Sequence, residues 1–294
     1  MNKVGFIGVG IMGKSMVRNL MKAGFELHIY ARTRSKVEDV IGERAQFHES
    51  IKDCVQDCDA VITIVGFPQD VEEVYFDQGN ILDSAKKGAY LIDMTTTSPQ
   101  IAEKIYAEGT KRGFHVMDAP VTGGDTGAKA GTLSILVGGE KEDYEACMPL
   151  FEAMGTNINY QGKAGCGQHC KLANQIMIAG TLSGVCEALT YAKEQGLDPE
   201  VFMKSVATGA AGSKQLDTFG PKILKDDYAP GFFMKHFIKD MKLALIEANR
   251  KGLSLDVLSM VLANYEELEQ EGYGDLGTQA LMKFYDEEHR NTEE

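Results

Sequence analysis

A mainly parallel α/β domain followed by an all-helical domain is the fold class this sequence predicts, and three observations carry it. Short aliphatic runs alternate with helical patterns up to about residue 162. Strand patterns stop after Gly167, and long helical periodicities occupy the remainder. The domains are expected at 1–163 and 164–294.

The elements follow in order. "VGFIG" (4–8) is the first strand candidate, and "IMGKSMVRNLMKAG" after it repeats Met12, Met16, Leu20 and Met21 at helical spacing. Further strands are expected at "ELHIY" (26–30), "AVITIV" (60–65), "AYLIDM" (89–94), "HVMDA" (115–119), "LSILVG" (133–138) and "INYQG" (158–162). Alternation of strand and helix implies right-handed crossovers in a mostly parallel sheet. "HCKLANQIMIAGTLSGVCEALTYAKEQG" then reads as one helix, apolar or small on nearly every face and so buried all round, with Gly196 as its C-cap. Phe237, Met241, Ala244, Leu245 and Ala248 mark another helix, and "LSMVLANYEELEQEG" a third. The polar tail "YDEEHRNTEE" is expected to fray.

Composition bounds the function. The net charge of −13 opposes nucleic-acid binding and requires any anion site to be built locally. No run approaches the ~20 uninterrupted apolar residues of a membrane span, so no membrane partner is expected. Six widely spaced cysteines and a start that enters a strand at once point to reduced thiols in the cytoplasm.

"GVGIMG" places Gly8, Gly10 and Gly13 in GxGxxG spacing between the first strand and the first helix, which identifies a Rossmann-type dinucleotide domain. Gly8 permits the turn, Gly10 the approach of a pyrophosphate and Gly13 close helix packing; Val9, Ile11 and Met12 complete the loop. At the end of the second strand Ala31 stands where an acid would bind a ribose 2′-hydroxyl. Arg32, Thr33, Arg34 and Lys36 follow, a set suited to a phosphate dianion. NADP(H) is therefore favoured, with NAD(H) as the alternative.

Hydride chemistry needs a proton donor beside the substrate oxygen. Lys171 lies in the first turns of the long apolar helix, where desolvation favours proton exchange; the plainer reading is a structural lysine. Asn174 follows three residues on, over the same face. Cys166, His169 and Cys170 beside it raise a metal or redox-thiol reading. With no second ligand cluster in the sequence, the sulfurs read as incidental and no metal is expected. Thr122, Gly123 and Gly124 follow a strand and offer a hydroxyl and open N–H groups, a local anion cradle.

Five ordered segments, "GFIGVGIMG" (5–13), "IDMTTTSP" (92–99), "DAPVTGG" (118–124), "GCGQHCKLANQ" (165–175) and "FIKD" (237–240), resemble the β-hydroxyacid dehydrogenase family. Its members include 3-hydroxyisobutyrate dehydrogenase and tartronate semialdehyde reductase, with 6-phosphogluconate dehydrogenase more distant. The resemblance implies interconversion of a small β-hydroxy acid and its semialdehyde. It gives Lys171 as acid/base, a substrate carboxylate at Thr122–Gly124, and cofactor contacts at Thr95 and Lys239. The family often has asparagine four residues after the lysine. Gln175 stands there in this chain, leaving the substrate-orienting amide open between Asn174 and Gln175. Self-association as a dimer or tetramer through the helical domain is also implied. A non-catalytic cofactor-binding module, or an imine reductase or oxidative decarboxylase on the same scaffold, are the competing readings.

Overall fold

The structure, a computed structural model, describes residues 1–285. The expectation for the tail from 286 onward lies outside the described residues. By packing, the chain divides into Met1–Lys171 and a unit starting at Leu172. The division falls inside the helix Cys166–Glu194, which begins in the first unit and runs on into the second.

The first unit holds one nine-stranded sheet: β1 (Lys3–Ile7), β2 (Glu26–Tyr30), β3 (Gln46–Phe47), β4 (Ala60–Thr63), β5 (Tyr90–Asp93), β6 (His115–Asp118), β7 (Val121–Thr122), β8 (Leu133–Gly139) and β9 (Gly155–Gly162). The order is β3-β2-β1-β4-β5-β6-β8-β7, with β9 on β8. Pairing is parallel from β3 through β6, β8 runs antiparallel to β6 and β7, and β9 is parallel to β8. β1, β4 and β5 are almost continuously buried, as strands covered by helices on both faces must be. On one face Phe6, Met16, Leu20, Ile29 and Phe151 form the core; on the other, Ile7, Val61, Tyr75, Leu91 and Ile105 do.

The two-residue strands β3 and β7 carry too little periodicity to be read from sequence. β9 starts at Gly155, three residues before the expected run, because a Cβ there would fall 2.4 Å from the Leu133 carbonyl oxygen. Glycine lets the strand close on β8.

The second unit packs Leu182, Leu189, Phe237, Met241, Val261 and Tyr265 into its own core. Its main helices are the continuation of Cys166–Glu194, then Met234–Arg250 and Asp256–Gln270. Gly196, at φ +74°, ends the first of these: its N–H reaches the Lys193 carbonyl and that of Leu197 reaches Ala192. By length and composition this helix is long and apolar enough to cross a membrane, although its apolar run is interrupted. Its Leu182, Cys186 and Leu189 are core residues. Burial is not all-round as expected, since Met177 and Tyr191 are 72% and 67% exposed.

Two buried carboxylates end adjacent strands in register, Asp93 on β5 and Asp118 on β6. Asp118 accepts from the Gly165 N–H (2.7 Å) and the Gln168 N–H (2.8 Å), so it caps the long helix from across the sheet edge. A Cβ on Gly167 would lie 2.3 Å from the Leu136 carbonyl oxygen and 2.8 Å from Asp118 Oδ2. Only glycine lets the helix start come this close. Asp93 Oδ1 accepts from the Thr63 hydroxyl (2.8 Å) and the Thr95 N–H (3.1 Å), while Oδ2 is buried without a partner among the described residues. Burial raises the Asp93 carboxyl to about 6, against the pull of its donors. Burial pushes Asp118 up as well, opposed by its two N–H donors.

Two outcomes are expected. Gly167→Ala lowers stability by about 2–3 kcal/mol in denaturant unfolding, because strand and helix must part; an unchanged midpoint would refute the close approach. For Asp93 the folded value lies above the ordinary carboxylate value of about 4, so its contribution is complete below pH ~4 and is lost as pH rises through about 6. Between pH 4 and 7 the wild type should lose up to about 3 kcal/mol more than Asp93→Asn, which keeps the acceptor and cannot ionise. Equal pH slopes for the two proteins would sink this assignment.

Candidate active site

The loop from β1 into the helix Ile11–Lys22 contains glycines with different causes. Gly8 has φ +97°, and a Cβ there would fall 2.1 Å from the Ile64 carbonyl oxygen. At Gly13 a Cβ would fall 2.2 Å from the Gly8 carbonyl oxygen. Both glycines are required by the protein's own packing. A Cβ on Gly10 would meet nothing within 4 Å, so the fold does not require glycine there. What it preserves is close approach from outside. The helix starts on Gly10 with no side-chain cap and no acid in its first turn, which leaves first-turn N–H groups for an anion. Val9 is buried, Met12 half-buried and Ile11 59% exposed. This arrangement fits the pyrophosphate of a dinucleotide.

After β2, Arg32, Thr33, Arg34 and Lys36 are all exposed. Arg32 pairs with Asp70 at 3.1 Å, its side chain 69% exposed. Arg34 pairs with Glu38 (3.2 Å) and Glu49 (3.4 Å) and lies over the Phe47 ring. Exposed pairs of this kind are worth at most about 1 kcal/mol, so a dianion can displace them. The short helix Glu38–Gly42 behind the loop is held to the first helix by Lys14 and Arg18 on Asp39, and by Arg18 on Glu43. Those hydrogen bonds hold the Asp39 carboxyl down at about 2.

At the end of β5, Thr95 is buried and its hydroxyl accepts from the Val65 N–H (3.0 Å). The partly exposed threonine of this loop is Thr96. Gln168, which the sequence reading passed over, closes the loop from the helix side. Its amide donates to the Thr95 carbonyl (2.7 Å) and accepts from the Thr97 N–H (3.0 Å). Thr122 ends β7, and Gly123 and Gly124 follow at φ +129° and +64°, conformations that L side chains rarely adopt. Asp125 lies in the first turn of the short helix Gly124–Ala130. An anion here must therefore be held by directed hydrogen bonds, since the local field opposes it.

Lys171 is buried, with 7% exposure. Cys166 and Cys170 are half-buried and all six cysteines are free. Burial pushes the Cys170 thiol up, opposed by Lys171. Among the described residues no group of three or more His, Cys, Asp and Glu is placed to hold a metal ion.

In the second unit Asn174, Gln175, Asp240 and Lys239 form one chain of contacts. Asn174 Nδ2 donates to Gln175 Oε1 (2.8 Å) and Gln175 Nε2 donates to Asp240 Oδ2 (2.7 Å). Lys239 Nζ lies 3.1 Å from Asp240 Oδ1, with Asp240 fully buried. A carboxylate only accepts, so Asp240 fixes the Gln175 amide and, through it, that of Asn174. Gln175 is thus the intermediary and Asn174 the more exposed amide.

Residues 3–162 match the model of the NAD-binding domain of 6-phosphogluconate dehydrogenase. Residues 165–285 match the model described as NAD-binding of NADP-dependent 3-hydroxyisobutyrate dehydrogenase. The chain is 48% identical to an uncharacterized oxidoreductase of Bacillus subtilis, over 96% of this chain and 98% of that one. It is 44% identical to the probable mitochondrial 3-hydroxyisobutyrate dehydrogenase-like 1 of Arabidopsis thaliana, over 95% and 84%. Among solved structures, the 3-hydroxyisobutyrate dehydrogenase of Mycobacterium tuberculosis with L-serine superposes with a TM-score of 0.88 at 26% identity, over 96% and 98% of the two chains. Glycine loop, buried lysine and matches over nearly the whole length converge: the chain belongs to the β-hydroxyacid dehydrogenase family of NAD(P)-dependent oxidoreductases.

Proposed function

We propose that this protein is an NADP(H)-preferring reductase that interconverts a small β-hydroxy acid and its semialdehyde, of the 3-hydroxyisobutyrate or tartronate semialdehyde type. The observation that carries the reading is Lys171, buried at the start of a helix that Asp118 and Gln168 tie to the sheet edge. A lysine withdrawn from water there exchanges a proton with the substrate oxygen as general acid or base. The nicotinamide, when bound, supplies or accepts the hydride. Gly8–Gly13 and the first-turn N–H groups hold the pyrophosphate, and the Thr95–Thr97 loop flanks the nicotinamide. Thr122, Gly123 and Gly124 grip the substrate carboxylate through a hydroxyl and two N–H groups. Asn174, three residues beyond Lys171, hydrogen-bonds the substrate oxygen with its amide orientation set through Gln175 and Asp240. Arg32, Thr33, Arg34 and Lys36 take the 2′-phosphate, since no acid stands at Ala31 to repel it. Self-association as a dimer or tetramer belongs to the same proposal, supported by the exposed Met177 and Tyr191 of the helical unit.

NADPH oxidation with succinic, tartronic and methylmalonic semialdehydes and with glyoxylate tests the reaction. Lys171→Ala is expected to lose about 10²–10⁴ in kcat with NADPH binding retained; undiminished turnover would remove Lys171 as the acid. The cofactor preference is tested by the double variant Arg32→Ala/Arg34→Ala. It should lose about tenfold or more in kcat/KM with NADPH and little with NADH, the loss of a charge-assisted grip on phosphate. Equal losses with both cofactors would place the arginines elsewhere.

A further inference from the structure

We infer that Gln168 is a positioning residue: it locks the Thr95–Thr97 loop to the first turn of the Lys171 helix and so holds proton donor and cofactor in register. The inference rests on the hydride-transfer reading above.

A glutamine amide carries donors on one side and an acceptor on the other. Gln168, fully buried, spends both on one loop: Nε2 donates to the Thr95 carbonyl (2.7 Å) and Oε1 accepts from the Thr97 N–H (3.0 Å). This is the pairing a neighbouring strand would offer the backbone. The Gln168 N–H is fixed independently by Asp118 Oδ2 (2.8 Å). On its far side the loop is tied by Thr95 N–H to Asp93 Oδ1 (3.1 Å) and by Val65 N–H to Thr95 Oγ1 (3.0 Å). The Gln168 side chain therefore ties the Thr95–Thr97 loop directly to the helix start that Asp118 caps from the end of β6.

The chemistry explains why that joint matters. Hydride and proton go to two atoms of one carbonyl that are bonded to each other. The loop flanks the hydride carrier, and Lys171 lies three residues beyond Gln168, nearly one helical turn. A relative shift of about 1 Å between reacting groups costs on the order of 100-fold. Residue type is constrained as well. Glutamate would lack the donor for Thr95 and add a buried charge beside Asp93 and Asp118. Asparagine is one methylene too short to span the gap with its amide.

The test uses the full-length chain with Gln168→Met, similar in length without hydrogen bonds, and Gln168→Glu, which keeps only the acceptor. Wild-type turnover of NADPH with the semialdehyde panel is measured first. In both variants kcat should fall about 10–100-fold while the KM for NADPH moves less than about threefold. The primary isotope effect with NADPH deuterated at the transferred position should rise, as misaligned chemistry becomes limiting. Activity per folded molecule equal to wild type, even with a lowered melting temperature, would show a merely structural residue and overturn the inference alone. A wild type inactive on every semialdehyde overturns the hydride-transfer reading and the inference with it. Should neither variant fold, amide exchange of wild-type Thr97 decides: protection like that of β5 is expected, and exchange at loop rates overturns the bridge.

Discussion

The Asp118 carboxylate at the end of β6, gripping the N–H groups of Gly165 and Gln168, is the contact on which the site depends. Neutral donors alone would leave a helix start free to fray; a buried charge acting on two of them makes hydrogen bonds about twice as strong as neutral ones. The cost is a carboxylate deep in the protein, visible in the upward push on its own protonation and in its effect on Asp93. Glycines at 138 and 167 make room for the contact, since a Cβ on either would come within 2.8 Å of an Asp118 carboxylate oxygen. The spacing of Gly165, Gly167 and Lys171 in "GCGQHCK" is thus a packing requirement as well as a chemical one. It brings the helix close enough to the sheet to be capped, and the lysine follows in the next turn.

The same economy of charge recurs elsewhere. A chain with net charge −13 cannot attract anionic ligands at long range. Its candidate anion positions are accordingly built from uncapped N–H groups at Gly10, a threonine and two glycines at 122–124, and cations only at Arg32, Arg34 and Lys36. Each cation of this last set that pairs does so weakly at the surface, whereas Lys239 is committed to a buried aspartate.

Much of this was legible in the sequence because it is local. The strands at 4–8, 26–30, 60–65 and 133–138 are dense enough in aliphatic residues to declare themselves, and GxGxxG after a first strand carries its own geometry. β3 and β7, at two residues each, have no period to read and exist because a neighbour pairs with them. Thr95 illustrates a second limit: its hydroxyl is turned inward to Val65, and nothing in "TTT" says which of three threonines faces out. Gln168 illustrates a third. Its partners are 71 and 73 residues away, and no spacing rule reaches that far. The best signal available was a polar residue one turn before the lysine in an otherwise apolar helix.

The three glycines of the first loop bear on how this chain can change over evolutionary time. Gly8 and Gly13 answer to the fold, where a side chain would strike backbone; Gly10 answers only to what the loop holds. A descendant that abandoned its cofactor would keep the outer two as long as it kept its sheet, while the middle one drifted. Of the three letters that announce the fingerprint, only one records whether the trade is still practised.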